Sequence, residues 1–221
     1  YLTNSDPTLT HVTIVNNNTA QGIGGGMLLD FSNPTLTHVT IVNNNTANYG
    51  GGMYLEVSTP TLTHVTIANN TASFDGAGMY VNDSDPTLTN VTITNNTATY
   101  GSGGGMILFN SDPTLTHVTI SNNTASYYGG GMYLFYSNPT LTNSIIWDNS
   151  PESIYTNSGS EETIITYSDI EGGWEGEGNI NSNPLFNDDY TLKEGSPCMD
   201  SGDPNLWFQD LDGTRSDMGA T

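Results

Sequence analysis

All four histidines of the chain stand in one local phrase. His11, His38, His64 and His117 each follow Thr-Leu-Thr and precede Val-Thr-Ile, with Asn90 and Asn143 in the matching places of two further copies. Imidazoles recurring at one repeat position can bind a transition metal if the fold stacks them. They can equally form a corner ladder, stacking and bonding to neighbouring backbone, and the two Asn replacements favour the ladder. Aromatic residues recur in the same way. Tyr54, Tyr80 and Tyr133 follow a Met in three of the copies, and Tyr49 and Tyr100 precede glycine-rich turns. An exposed stripe of such rings can stack on sugars or meet another protein; covering the flank and one another is the alternative. Paired threonines such as Thr35 and Thr37, or Thr61 and Thr63, repeat in all copies. The carboxylates that could serve glycoside hydrolysis are Asp83, Asp85 and Asp112. Asp85 and Asp112, however, share a pre-proline position with Asn33 and Asn138, which reads as turn chemistry. Near the C-terminus Asp210, Asp212 and Asp217 surround Gly213, as acids do in loops that bind Ca²⁺, with Arg215 as a competing partner.

What must position these residues is a repeat. Pro-Thr-Leu-Thr begins at Pro7, Pro34, Pro60, Pro86, Pro113 and Pro139, in steps of 27, 26, 26, 27 and 26 residues. That period marks stacked supersecondary units. Within residues 34–59, Leu36, Val39 and Ile41 point inward, and Thr37 and His38 both point outward at a bend between two short strands. Asn43, Asn44 and Asn45 supply the next corner, where Asn tolerates unusual backbone angles and its amide can bond along the stack. Ala47 is a small inward residue. Gly50, Gly51 and Gly52 turn the chain into a third strand with Met53 and Leu55 inside and Tyr54 outside.

This pattern predicts an all-β, right-handed parallel β-helix of about 26–27 residues per coil, with an irregular C-terminal cap. A leucine-rich repeat shares the Leu36-x-x-Val39-x-Ile41-x-x-Asn44 spacing, but its convex segment needs a second Leu pattern that the Gly-Gly-Gly-Met run does not supply. Six regular repeats are expected over 1–147, irregular final coils (two of them) over 148–170, and a cap covering the open end over 171–221. Tyr1 falls in mid-repeat, as in a processed product or an excised fragment.

Composition narrows the partners. The formal charge is −21, and residues 1–147 hold seven acids with neither Lys nor Arg. Nucleic acid and anionic membrane are therefore poor partners, and lyases that need a basic residue are disfavoured. The chain has no apolar run long enough to span a membrane, and Cys198, the single cysteine, allows no internal disulfide. Seven Asn-x-Ser/Thr matches, among them Asn44, Asn69, Asn95 and Asn122, are expected from composition alone.

The phrase Asn-Pro-Thr-Leu-Thr-His-Val-Thr-Ile, then Asn-Asn-Thr-Ala, then Gly-Gly-Gly-Met-Tyr-Leu resembles the repeats of bacterial secreted and surface proteins with right-handed parallel β-helices, including polymorphic outer-membrane proteins. Ser144-Ile-Ile-Trp147, Asn183-Pro-Leu-Phe186, Gly195-Ser-Pro-Cys198 and Asp210-Leu-Asp-Gly213 are similar to that family's closing coils and cap. The resemblance implies export, an extracellular or cell-surface location, and often an anchoring signal beyond the cap. It implies no uniform activity.

The expectation is a non-enzymatic structural or adhesive protein of a surface, matrix or filament. Its partners would be further copies of itself, end to end or side by side, or surface glycans, with Ca²⁺ as the one candidate cofactor. A carbohydrate-binding module or glycosidase using the aromatic stripe is the alternative, and ice binding through the threonine array is the third.

Overall fold

The computed structural model describes residues 1–20, 22–160, 162–210 and 213–220. Among them the strands form three sheets, and every pairing between strands is parallel. One coil shows how the sequence makes this. Met53–Glu56 lies in the first sheet; Thr61–Thr63 and Thr66–Ala68 lie in the second; Thr71–Ala72 lies in the third. In two coils the paired segments of the second sheet run on as single strands, Thr87–Thr94 and Thr114–Ser121.

Register is the same from coil to coil. Met53 pairs with Met27 and Met79, Leu62 with Leu36 and Leu88, and Ile67 with Ile41 and Ile93. Each inward side chain thus lies on its own equivalents and the core is a set of axial columns, buried in the interior coils and partly exposed in the first. Burying a Leu, Ile or Met column residue is worth about 2 kcal/mol each, which offsets the ordering of an otherwise polar coil.

Four corners per coil adopt left-handed backbone. The His/Asn corner has φ of 51° at His38 and His64 and 53° at Asn90; Asn43, Asn69 and Asn95 have φ of 55–56°; Gly50 has φ of 70°. The fourth corner is occupied by whatever follows the first-sheet strand: Phe31, Val57, Asp83, Asn110 or Tyr136. A β-branched residue there costs about 1–2 kcal/mol, so something else must hold the bend. A serine does. The Ser58 hydroxyl donates to the Glu56 carbonyl across the corner (2.8 Å) and accepts the Ser32 backbone N–H (3.0 Å). Ser84, Ser111 and Ser137 repeat this bridging role.

Two features depart from expectation. Thr46, not Ala47, takes the inward position; it is buried, its hydroxyl donates to the Gly22 carbonyl (2.6 Å), and it pairs with Ala72 of the next coil. The extra Asn in the first copies shifts the phase by one residue. Residues 148–170 do not make two further coils. Ile154–Thr156 completes the sixth by pairing with Met132–Leu134, while Ile164–Thr166 and Asp169–Ile170 begin a seventh.

The tail has two parts. Residues 174–180 add a partial turn over the end: the Tyr167 N–H donates to the Glu177 carbonyl (2.7 Å), the Asn179 side-chain oxygen accepts the Ser168 N–H (3.0 Å), and Trp174 packs against the core. The rest folds back along the flank instead of covering the end. Tyr190 accepts the side-chain amides of Asn95 and Asn122 (2.9 and 3.1 Å), and the Ala220 N–H donates to Thr119 Oγ1 (2.9 Å). Ile145, Cys198 and Met218 form a small buried cluster beneath it. Outward-facing Ile145 replaces the Thr of earlier coils because the tail covers it.

The buried amides predict a large stability effect. Asn96 Oδ1 accepts the Asn70 backbone N–H (2.9 Å) and side-chain amide (3.0 Å), and Asn96 Nδ2 donates to the Ile67 carbonyl and to Asn123 Oδ1 (3.0 Å each). Asn96→Ala leaves several buried groups unpaired and should cost about 3 kcal/mol or more in urea unfolding. Val57→Asn, which relieves left-handed strain at an exposed corner, should raise stability by about 1 kcal/mol in the same measurement.

Candidate functional site

The columns that could do chemistry are mostly occupied with one another. At the His/Asn corner, His11 and His38 stack at 4.9 Å between ring centroids, and His38 and His64 at 4.8 Å with planes 6° apart. In rings so nearly parallel the nitrogen lone pairs run side by side instead of converging on one ion. Further along, Asn143 Nδ2 lies 3.1 Å from His117 Nε2, and Asn143 Oδ1 accepts the Asp203 N–H (2.6 Å). Phe208 meets His117 edge-on at 5.8 Å. Burial beneath this segment holds the His117 imidazole below its ordinary value.

The aromatic stripe is formed, but it is not an open face. Tyr49, Tyr54, Tyr80 and Tyr133 are half-buried, and Tyr100 alone of the five is exposed. Tyr54 stacks on Tyr80 at 4.8 Å, Tyr49 tilts against Tyr80 at 5.1 Å, and Tyr133 stacks on Tyr155 at 5.4 Å. The rings therefore spend their faces on each other. Burial, then the charges of Asp75, Tyr49 and Glu56, push the Tyr80 phenol up to about 12. The Tyr54 phenol is raised too, by burial and by Glu56, whose carboxylate accepts its hydroxyl at 3.1 Å.

The carboxylates suggested for hydrolysis are structural ligands. Asp85 Oδ1 accepts the Asp112 N–H and Asp112 Oδ1 accepts the Asn138 N–H, each at 2.6 Å, so the pre-proline column is a coil-to-coil clamp. Asp83 is held by the amides of Asn82 and Asn110 at a left-handed corner. A buried acid that the sequence reading passed over, Asp169, accepts the Ser182 N–H (3.0 Å) and the Cys198 thiol (3.1 Å). Burial raises its carboxyl, and burial followed by the Asp169 charge raises the thiol, so Cys198 is an inert proton donor in the tail's core.

In the tail, Asp210 and Asp217 do come together, and Asp200 joins them with ligand atoms all within 4.8 Å. Asp212 lies outside the described residues. Asp200 escaped the sequence reading because it is ten residues before Asp210 and reaches it only through tertiary folding; its own N–H donates to Asp217 Oδ1 (2.8 Å). Three carboxylate oxygens suit a hard cation such as Ca²⁺. The threonine array is likewise in register, Thr35, Thr61, Thr87 and Thr114 forming one exposed column, but the tail reaches over Thr89 and Thr116 of its neighbour.

Of the sequons, Asn44 is shut in the core, its Oδ1 accepting the N–H and side-chain amide of Asn17, whereas Asn69, Asn95 and Asn122 are exposed at corners. Among the described residues, no helix is long and apolar enough to cross a membrane.

A family model described as the right handed beta helix region matches residues 1–123 and, in an overlapping register, 37–187. No curated protein and no solved structure matches the chain.

His117 gives the flank a pH dependence. Its pKa is lower in the folded state than the ordinary 6.5, so the unfolded chain binds the proton more readily and stability is complete only above that value. Thermal stability should fall as pH drops through about 6.5 and below, and His117→Asn, the residue used at Asn90 and Asn143, should flatten that slope in melting curves taken from pH 7.5 to 5.

Proposed function

Because the chain belongs to the right-handed β-helix family, a fold that does not dictate one chemistry, we propose on the evidence of its side chains that it is a non-enzymatic structural or adhesive protein of a cell surface or extracellular matrix. The observation that carries this reading is the engagement of its polar columns. Glycoside hydrolysis needs two free carboxyl groups facing one sugar across about 5–9.5 Å, and Asp83, Asp85 and Asp112 are instead bound to backbone and amide groups of adjoining coils. Regular columns of Thr, Asn and aromatic residues make a long, stiff flank without basic groups over residues 1–147, which suits a spacer or a surface for lateral contacts. The likeness of the repeat to secreted bacterial surface proteins supports the extracellular part of the proposal.

Self-association is part of the same reading. Leu2, Leu9, Val12 and Ile14 of the first coil pack against the core yet stay partly exposed. Any coil stacked on them, in this reading one contributed by a second copy, would complete their burial and pair the strands Thr8–Thr10 and Thr13–Val15. Ca²⁺ at Asp200, Asp210 and Asp217 would brace the tail on the flank by neutralising three adjacent acids.

Negative-stain microscopy and sedimentation velocity at high protein concentration should show rods lengthened in whole multiples of one solenoid, and Leu9→Lys should return them to single units. Dispersed monomers throughout would contradict assembly. Release of reducing ends or unsaturated products from any of a panel of polysaccharides would overturn the non-enzymatic reading.

A further inference from the structure

The His/Asn corner changes character where the tail crosses it. His38 and His64 are stacked, Asn90 takes the next place, and His117 follows. Putting a short amide where a ring would stand leaves a gap between His64 and His117 of two coil spacings, about 10 Å. The turn Leu206–Phe208 lies against that gap, held there by Phe208 on His117 and closed internally by Asn205, whose Oδ1 accepts the Trp207 N–H (3.2 Å). An open cleft of about 590 Å³ results, lined by His64, Asn90, His117, Trp207, Phe208 and Gln209.

Two properties set this cleft apart. Its polar groups are unspent: among the described residues no protein group hydrogen-bonds the side chains of Thr89, Asn90, Thr116 or Gln209. Asn143, which holds the same corner two coils later, is by contrast bonded to His117, Ser216 and Asp203. The second property is Trp207, 90 % exposed on a turn whose next residue, Phe208, packs on His117. An indole left in water beside free amides and hydroxyls matches a ligand with one apolar face and a rim of hydroxyls. A pyranose ring is such a ligand, and the gap left by the missing ring has room for one. The lining contains no Lys or Arg and includes Asp210, within a chain of net charge −21, so phosphorylated or uronic ligands are repelled.

We propose that this cleft binds a neutral saccharide, stacked on Trp207 and hydrogen-bonded by Asn90, Gln209 and the flanking threonines. The proposal rests on the adhesive reading above and gives it a location, one distinct from the Tyr54–Tyr80 stripe, whose ring faces are already covered.

Titration of the intact chain with cellohexaose, xylohexaose, mannohexaose and chitohexaose, followed by tryptophan fluorescence and calorimetry, tests it. At least one should bind with Kd between roughly 10 μM and 1 mM. Trp207→Ala, at an exposed position, and Asn90→His, which restores the repeat's ring and fills the gap, should each weaken binding at least tenfold without lowering Tm. Failure of all four sugars at millimolar concentration overturns the site, as does unchanged affinity in either variant. A chain that binds none of them yet still assembles into rods loses this site and keeps its scaffold role; one that binds through Trp207 but never assembles loses only the self-association.

Discussion

A side-chain amide shut away from water needs partners for two N–H donors and a carbonyl oxygen. Inside this solenoid the groups in reach are the amide of the next coil and the backbone of the one before. In Asn44, Asn70, Asn96, Asn123 and Asn149 each oxygen takes both the backbone N–H and the amide of the preceding Asn, and each amide caps an isoleucine carbonyl of the coil before. A slip by one residue would strand every one of these groups. The ladder therefore sets the register that the apolar columns then fill. It also explains a glycine: a Cβ on Gly52 would lie 2.6 Å from the Gly78 carbonyl oxygen and 3.0 Å from the Asn70 amide.

Once register is set, like meets like on the outside as well. Histidine stacks on histidine, tyrosine on tyrosine, and each pre-proline Asp or Asn clamps the next coil. This is why residues that look chemically promising in isolation are engaged with one another here. Repetition at a spacing of one strand gives each group an identical neighbour, and identical neighbours satisfy one another by stacking or hydrogen bonding. Catalysis instead calls for unlike groups converging on one point. The places to look for recognition are those where repetition fails, and the tail makes most of them. It buries Thr119 and Ile145 on one side, gathers three acids at Asp200, Asp210 and Asp217, and sets Trp207 opposite the one amide that interrupts the histidine stack.

The coil itself was legible in the chain because its period is local. Leu36, Val39, Ile41, Met53 and Leu55 declare their inward faces by alternation, and Asn and Gly declare the corners by the backbone they tolerate. Legibility stopped where the cause was not local. That Phe31, Val57 and Tyr136 would sit in left-handed backbone has no signal in those residues; it follows from the serine that bridges each corner. The two histidine-column asparagines read alike in sequence, yet the Asn143 side chain is bonded to His117, Ser216 and Asp203, whereas among the described residues none bonds the Asn90 side chain.

By itself, then, the sequence determined the parallel coil, its length, its axial residues and the poverty of basic groups along them. These depend on properties that each repeat carries whole and that stacking merely multiplies. Only the tertiary structure decided which polar groups are spent and which remain free. The tail has no period, and its path is chosen by contacts such as Phe208 on His117, Tyr190 on Asn95 and Asn122, and Cys198 on Asp169. These link residues 29 to 95 positions apart, a range over which no local pattern can carry the information.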